Sequence, residues 1–260
     1  LKTPPIYDLL QAEGAVFGAS FGFERPLWFA RDGEEARDIL TFRRPNWFAA
    51  VRRECQALRT SVGMIEISSF AKYEITGPDA EAFLDRVLAC KLPKKAGRTV
   101  LAPMLNNNGG IIGDFTVTRI SDTNFYMVGA GAAERFHLRR FADEKGEADV
   151  TVRSVTAERA GLAIAGPNSR KLLERITSDD VSAESFKFMA TRDMEVANLP
   201  ARVMRISFTG DLGYEIHLAA EYQRALFHTL KAAGQDLGLT LCGARALDAL
   251  RLEKSYGRWG

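Results

Sequence analysis

Residues 75–87 read Ile-Thr-Gly-Pro-Asp-Ala-Glu-Ala-Phe-Leu-Asp-Arg-Val, and residues 164–176 read Ile-Ala-Gly-Pro-Asn-Ser-Arg-Lys-Leu-Leu-Glu-Arg-Ile. Both stretches contain Ile-x-Gly-Pro, then Asp or Asn, and later an apolar pair followed by an acid and an arginine. Each predicts a strand that ends in a Gly-Pro turn, with Asp79 or Asn168 as the N-cap of a helix. The repeat therefore indicates that one structural unit occurs twice in the chain.

The similarity between the two copies continues downstream. Residues 117–121 resemble residues 203–207. Residues 124–128 correspond to residues 212–216, and a helical pattern follows each of these two segments. Alternation of apolar and polar residues predicts strands in all four segments. We therefore expect an α+β fold of two duplicated β-α-β-β-α halves with mostly antiparallel sheets, and chance similarity is the alternative explanation of the repeat.

The predicted organisation has three parts. Residues 1–60 are rich in aromatic residues and predict a wrapping segment with one helix over about residues 46–59. Residues 61–155 form the first half of the duplicated body and residues 156–260 the second half, which ends in a helix over residues 244–254. The chain contains no low-complexity linker, so we expect one compact body.

Composition excludes several classes of protein. The chain has 260 residues, of which 46% are hydrophobic and 26% charged, and its formal net charge is +2. This near-balance argues against a nucleic-acid partner bound by bulk phosphate attraction. No apolar run reaches the ~18–20 residues needed to cross a bilayer, so we expect no membrane association.

The three cysteines favour a reducing compartment. Cys55, Cys90 and Cys242 are odd in number, far apart and outside any C-x-x-C arrangement, so a disulfide framework is not expected. We expect the cytoplasm, or the mitochondrial matrix if the source is eukaryotic.

The histidines give no sign of a metal site or a hydrolase. His137, His217 and His228 lack the ligand spacing of a zinc site, and no G-x-S-x-G motif is present. We therefore predict no metal, and structural or surface roles for these histidines. If the chain is an enzyme, its chemistry depends on carboxylates or on a bound cofactor.

The first candidate site residue is Asp114. It follows Asn-Gly-Gly at residues 108–110, a hairpin signal, and enters a strand otherwise made of Ile, Phe and Val. A carboxylate at this position is either solvated or buried for a purpose, and a buried one needs a bound amine or another donor.

The second candidate is Glu215, which lies in a strand after the turn at residues 209–213. Alternation places Glu215 and Tyr214 on opposite sides of that strand. A carboxylate on a strand suits paired hydrogen bonds to a planar N–H edge, such as that of a pterin or a guanidinium group. The alternative is a salt bridge to an arginine of the other half.

Several motifs together resemble a known family. Gly-Gly-Ile-x-x-Asp at residues 109–114, Gly-Tyr-Glu at residues 213–215 and Arg-Leu-Glu at residues 251–253 resemble the aminomethyltransferase, or glycine-cleavage T-protein, folate-binding family. The aromatic stretches at residues 24–29 and 44–48 are similar to the folate-binding region of dimethylglycine and sarcosine dehydrogenases. The resemblance covers nearly the whole chain.

The resemblance implies the aminomethyltransferase folate-binding fold and a tetrahydrofolate site. Asp114 matches the acid near the folate nitrogens and the reacting amine, and Glu215 matches the residue that holds the pterin ring. Thr116 is a further lining residue on the same strand face as Asp114, and Tyr214 adjoins Glu215. Arg245 and Arg251 of the terminal helix are candidates to bind a carboxylate of the folate. The alternative is that they form structural ion pairs.

The implied function is folate-dependent one-carbon transfer. A dimethylglycine- or sarcosine-type N-methylated amine gives an iminium carbon, which is captured as methylene-tetrahydrofolate. The alternatives are a glycine-cleavage aminomethyltransferase, a folate-dependent demethylase, and a non-catalytic folate-binding module. The last includes a branch linked to iron–sulfur assembly, which is marked by a Lys-x-Cys-Tyr stretch that this sequence lacks.

The expected partners are a small-molecule amine and tetrahydrofolate. The resemblance also implies that this chain itself binds no FAD. FAD is expected only if an upstream flavin domain exists in the same polypeptide. Family members continue into a small C-terminal β domain that is absent from this sequence. We therefore expect the chain to be a fragment of a longer enzyme.

Overall fold

The structure is a computed structural model and describes residues 1–259. The helices are Tyr7–Ala12 (α1), Phe48–Thr60 (α2), Ala80–Val87 (α3), Glu134–Lys145 (α4), Ser169–Glu174 (α5), Gln223–Gly234 (α6) and Ala244–Glu253 (α7). The strands are Ala15–Ser20 (β1), Phe23–Phe29 (β2), Val62–Glu66 (β3), Ala71–Thr76 (β4), Arg98–Leu105 (β5), Ile111–Arg119 (β6), Asn124–Gly129 (β7), Thr151–Ser154 (β8), Arg159–Ala165 (β9), Thr191–Val196 (β10), Leu199–Met204 (β11), Gly213–Ala219 (β12) and Leu239–Cys242 (β13).

The chain divides into two compact units. Unit 1 comprises Leu1–Ser69, Ala160–Phe188 and Asp193–Gly257, and unit 2 comprises Phe70–Arg159, Met189–Arg192 and Arg258–Gly260. The aromatic-rich residues 1–60 and most of residues 156–260 thus belong to unit 1, whereas most of residues 61–155 belong to unit 2. The predicted division of the chain at residues 60 and 155 stays a prediction.

Unit 1 contains a six-stranded sheet in the order β10-β11-β12-β9-β3-β13 and a separate hairpin of β1 and β2. Strands β3 and β13 pair in parallel, and β11 and β12 pair antiparallel. Helix α2 turns Ala50, Val51 and Leu58 inward and packs against α7 and β13. This arrangement fixes β12, the strand that carries Glu215, in the interior of the sheet.

Unit 2 contains a five-stranded antiparallel sheet in the order β5-β6-β7-β4-β8. One face of this sheet and helices α3 and α4 enclose a hydrophobic core that includes Tyr73, Phe83, Phe115 and Phe141. Edge-to-face contacts between these rings, such as that of Tyr73 with Phe141 at 5.9 Å, hold the core together. The opposite face of β6 carries Asp114.

The α+β class with mostly antiparallel sheets is confirmed, and the structure contains strands that the predicted halves lacked. Residues 61–155 also contain β3, β5 and β8, and residues 156–260 also contain β10 and β13. Within the halves, the repeated segments β4-α3-β5-β6-β7-α4 and β9-α5-β10-β11-β12-α6 share the order β-α-β-β-β-α. Strand β5 contains Pro103, which weakens the sequence signal of a strand. It is tolerated because β5 lies at the edge of its sheet, where one side of the strand needs no partner.

Asp79 and Asn168 occupy the predicted N-cap positions, but neither side chain makes a capping hydrogen bond. Oδ2 of Asp79 instead accepts the backbone N–H of Asp149 at 2.8 Å. Nδ2 of Asn168 donates to the carbonyl of Leu237 at 3.2 Å. The polar residue after each Gly-Pro turn therefore hydrogen-bonds the start of its helix to a distant segment of the same unit.

Candidate functional site

Asp114 lies near the start of β6 and is half-buried. The hairpin before it forms as predicted: the carbonyl of Gly110 accepts the N–H of Asn106 at 2.9 Å, and Gly109 has a φ of 79°. In the antiparallel pairing of β5 with β6, Asp114 stands opposite Pro103. Its Oδ2 accepts the backbone N–H of Trp259 at 3.3 Å. Among residues 1–259 this long bond is the one hydrogen bond to the carboxylate, which leaves most of its accepting capacity available.

Thr116 follows on the same face of β6 as Asp114. In the sheet register Thr116 lies opposite Leu101 on one side and Val128 on the other. Its Oγ1 is buried and has no hydrogen-bond partner in residues 1–259. Leu101 is 70% exposed. Unit 2 therefore presents a carboxylate and an unsatisfied hydroxyl two residues apart on one face of one strand.

His137, for which the sequence predicted a structural or surface role, packs against the strand that carries Asp114. Its imidazole is fully buried on α4, and Nε2 lies 3.0 Å from the carbonyl oxygen of Ile112. Burial lowers the pKa of His137, against smaller opposing effects of the Ile112 carbonyl and the Asp114 charge. The only signal in the sequence was a polar residue within an apolar helix face, which also fits an ordinary core position.

Glu215 lies on β12 in unit 1, opposite Met204 of β11. Its side chain is 16% exposed, and Oε2 lies 3.2 Å from Nε2 of His217. The two residues share a face because they are two apart on one strand. This contact is compatible with the structural role that the sequence predicted for His217. Glu215 makes no salt bridge to an arginine of residues 1–259, the alternative that the sequence left open.

Tyr214 points to the other side of β12, as alternation predicted, and is fully buried. Its hydroxyl accepts a hydrogen bond from Nε of Arg170 at 3.1 Å, and its ring lies 5.8 Å from that of Phe186. Burial raises the pKa of Tyr214, against a smaller lowering effect of Arg170. The structure thus gives Tyr214 core partners, and a folate contact stays a prediction.

The two arginines of α7 are both engaged in contacts within unit 1. The guanidinium of Arg245 pairs with Asp38 and lies 4.1 Å from the centre of the Trp47 ring. Nε of Arg251 donates to Asp248 at 2.9 Å, and its Nη1 donates to the carbonyl of Tyr256 at 3.0 Å. These contacts agree with the structural ion pairs that the sequence left open. A role in holding a folate carboxylate stays a prediction for both.

The structure thus brings the predicted residues together in two groups, each within one unit. Asp114 and Thr116 share one strand face in unit 2. Glu215 and Tyr214 are neighbours on β12 in unit 1, where α7 carries both arginines. The described residues contain no cluster of three or more His, Cys, Asp or Glu side chains suited to a metal ion.

This arrangement can be compared with known proteins. Residues 6–260 match the family described as the GCVT N-terminal domain. The chain belongs to this family. The resemblance to the aminomethyltransferases is therefore confirmed. The GCVT fold is confirmed as well by the structure of glycine cleavage system aminomethyltransferase T from Bartonella henselae, with a TM-score of 0.81 and 25% identity. This comparison covers 99% of the present chain and 63% of that one.

Two curated relatives of this GCVT-family chain are longer enzymes. The mitochondrial dimethylglycine dehydrogenase of Rattus norvegicus is 35% identical over 258 residues, which are 98% of this chain and 30% of that protein. The 4-methylaminobutanoate oxidase (formaldehyde-forming) of Paenarthrobacter nicotinovorans is 35% identical over 263 residues, 100% of this chain and 32% of that protein. The chain thus spans about a third of the length of these relatives.

No helix within residues 1–259 of this GCVT-family chain has the length and apolar character that spanning a membrane requires. All three cysteines are free thiols.

Proposed function

We propose that this chain binds tetrahydrofolate and transfers to it a one-carbon unit from an N-methylated amine. The observation that carries the proposal is Asp114, a half-buried carboxylate on the strand that follows the Asn-Gly-Gly hairpin. A strand position holds a carboxylate more rigidly than a loop, which suits a group that must meet a reacting nitrogen at a fixed distance.

The residues present fit the proposed ligand. Tetrahydrofolate, when bound, supplies the nucleophilic nitrogens that take up a carbon at the oxidation level of formaldehyde. Asp114 is suited to orient such a nitrogen or to accept its proton. Glu215 is suited to accept paired N–H groups from the pterin edge. Thr116 offers a buried hydroxyl whose hydrogen-bonding capacity is unused among residues 1–259.

The proposed carbon donor is a dimethylglycine- or sarcosine-type amine. Two relatives are named for enzymes that act on N-methylated amino acids, dimethylglycine and 4-methylaminobutanoate. Oxidation of such an amine needs an electron acceptor, which we propose is a flavin in another domain of the same polypeptide. The contribution of this chain is then to hold the folate and to exclude water from the captured carbon.

We propose a reducing compartment for the protein, the cytoplasm or, in a eukaryote, the mitochondrial matrix. Three free cysteines and a relative named as mitochondrial support this proposal.

Two measurements on the full-length protein test the function. Calorimetric titration with 5-formyltetrahydrofolate, a stable folate, is expected to show saturable binding. An assay with dimethylglycine and tetrahydrofolate is expected to yield methylene-tetrahydrofolate. Binding without transfer would favour a non-catalytic folate-binding module, and the absence of both would overturn the proposal.

A further inference from the structure

The segment of β6 that carries Asp114 has a strand partner on one side only. Strand β5 pairs with β6 from Arg98 opposite Arg119 to Leu105 opposite Ile111. Strand β7 reaches only to Gly129, which stands opposite Phe115. Residues 111–114 therefore extend beyond the end of β7, and the irregular register between Met104 and Leu105 weakens their pairing with β5 as well.

His137 supplies a hydrogen bond on this extension. Its Nε2 lies 3.0 Å from the carbonyl oxygen of Ile112, two residues before Asp114. A carbonyl only accepts hydrogen bonds, so Nε2 carries the proton and donates. Burial lowers the pKa of His137, which keeps the imidazole neutral with Nδ1 unprotonated.

The local sequence makes room for this contact. A Cβ at position 113 would lie 2.7 Å from Nε2 of His137, so a glycine is required between Ile112 and Asp114. The imidazole is also enclosed by aromatic rings, with that of Phe115 at 4.7 Å and that of Trp259 at 5.3 Å. Trp259 in turn donates its backbone N–H to Asp114. His137 thus contacts Ile112 and Phe115, which lie before and after Asp114 on β6. It also contacts Trp259, the residue that is hydrogen-bonded to the Asp114 carboxylate.

A histidine is a costly choice for this pocket. Nδ1 of His137 is buried and has no hydrogen-bond partner in the described part of the chain. A phenylalanine would fill an aromatic pocket without an unsatisfied acceptor. What the imidazole provides, and an apolar ring does not, is the hydrogen bond to Ile112.

We propose that His137 is a positioning residue for Asp114. Its hydrogen bond to Ile112 holds the one-sided extension of β6, and so sets the place of the carboxylate that meets the reacting nitrogen. This inference rests on the proposed function, because its readout is folate-dependent transfer. His137 acts through the backbone and does not touch the substrate.

The test compares three changes in the full-length protein, with folate-dependent transfer as the readout. His137→Phe removes the donor and keeps an aromatic ring. His137→Gln keeps an N–H at a similar reach. Gly113→Ala keeps the histidine in the sequence but adds a Cβ 2.7 Å from its Nε2, which displaces the imidazole from Ile112. We expect His137→Phe and Gly113→Ala to lower kcat by about 10- to 100-fold, the scale on which small displacements of a catalytic group act.

The remaining expectations separate positioning from general stability. The KM for tetrahydrofolate is expected to stay within about twofold, and His137→Gln is expected to restore most of kcat, because the folate contacts are intact and the donor is replaced. In an Asp114→Asn background, His137→Phe is expected to cause no further loss, because residues that act as one unit are not additive.

Two results would overturn the inference. One is that His137→Phe lowers kcat by the same factor in the Asp114→Asn background as in the wild type. The other is that His137→Phe leaves kcat unchanged. If His137→Phe does not fold, the same criteria apply to Gly113→Ala. Failure of the proposed function would look different, because the wild type itself would then show no folate-dependent transfer.

Discussion

Nε2 of His217 lies 3.2 Å from Oε2 of Glu215, and both side chains lie on one face of β12. His217 is almost fully buried, so this contact fixes the orientation of the glutamate carboxylate. Oε1 of Glu215 has no hydrogen-bond partner in residues 1–259. The pair therefore presents an oriented acceptor on a rigid strand, which is the geometry that recognition of a planar N–H edge requires.

Replacement of Glu215 is expected to weaken folate binding. Hydrogen bonds to a charged group are worth about 1.5–3 kcal/mol, so Glu215→Ala is expected to lower the affinity for 5-formyltetrahydrofolate by roughly 10- to 150-fold. Calorimetric titration measures this affinity. Glu195→Ala removes an exposed carboxylate from another strand of the same sheet and is the matched control, with no expected change. Equal affinities for all three proteins would remove Glu215 from the site.

Thr116→Val separates ligand binding from stability. The hydroxyl of Thr116 is buried and unsatisfied in the described residues, so an isosteric valine is expected to keep the free energy of unfolding or raise it slightly. The loss of one neutral hydrogen bond to the ligand is expected to lower folate affinity by about threefold to tenfold. Urea unfolding and calorimetry measure the two effects. A valine variant with unchanged folate affinity would exclude Thr116 as a lining residue.

Tyr214→Phe tests whether Tyr214 is a core residue or a ligand residue. Removal of the hydroxyl breaks the bond from Arg170, and the expected loss in the free energy of unfolding is about 1 kcal/mol. Folate affinity is expected to stay within about twofold, because the ring of Tyr214 points away from the face of Glu215. A larger loss of affinity, with stability unchanged, would instead make Tyr214 a ligand contact.

Glu54 makes the stability of the protein depend on pH. Its carboxylate is buried and accepts the backbone N–H groups of Phe29 at 2.8 Å and Gly243 at 2.9 Å. Desolvation raises the pKa of Glu54 from 4.5 to about 7, despite the lowering effect of these bonds and of Arg53. Between pH 4.5 and about 7 the folded state therefore binds more protons than the unfolded state, so its stability falls as pH rises through this window.

This effect is measurable as a difference between wild type and Glu54→Gln. The free energy of unfolding of the wild type relative to the variant is expected to decrease by about 3 kcal/mol from pH 4.5 to pH 8. Glutamine does not titrate and, like the protonated carboxyl group of Glu54 at pH 4.5, offers one carbonyl oxygen, so the variant is the non-titrating reference for the wild type. A difference that is independent of pH in urea unfolding would contradict the raised pKa.

The sequence predicted what depends on local pattern. The Asn-Gly-Gly hairpin, the opposite orientations of Tyr214 and Glu215, and the helix near residues 46–59 follow from turn chemistry and periodicity, and the structure contains them. The hairpin prediction requires a strand before the turn, but the predicted β-α-β-β-α unit left β5 out. Pro103 is unfavourable within a strand unless that strand is at an edge, and edge position depends on the whole sheet.

Contacts between residues distant in the chain could not be predicted from the local sequence pattern. Ile112 and His137 are 25 residues apart, and their hydrogen bond depends on where β7 ends. The partners of Tyr214 and Arg245, Arg170 and Asp38 respectively, come from other parts of unit 1. No local rule links these pairs, because each is set by how strands and helices pack rather than by sequence spacing.

The most direct test of the account is folate-dependent transfer by Asp114→Asn. The variant keeps the size of the side chain and removes its charge and its capacity to accept a proton. We expect folate binding by calorimetry to be nearly unchanged and the rate of methylene-tetrahydrofolate formation to fall by about 10²- to 10⁴-fold. Asp143→Asn makes the same change at an exposed position of unit 2 and is expected to keep wild-type activity. Full transfer activity in Asp114→Asn would contradict the account.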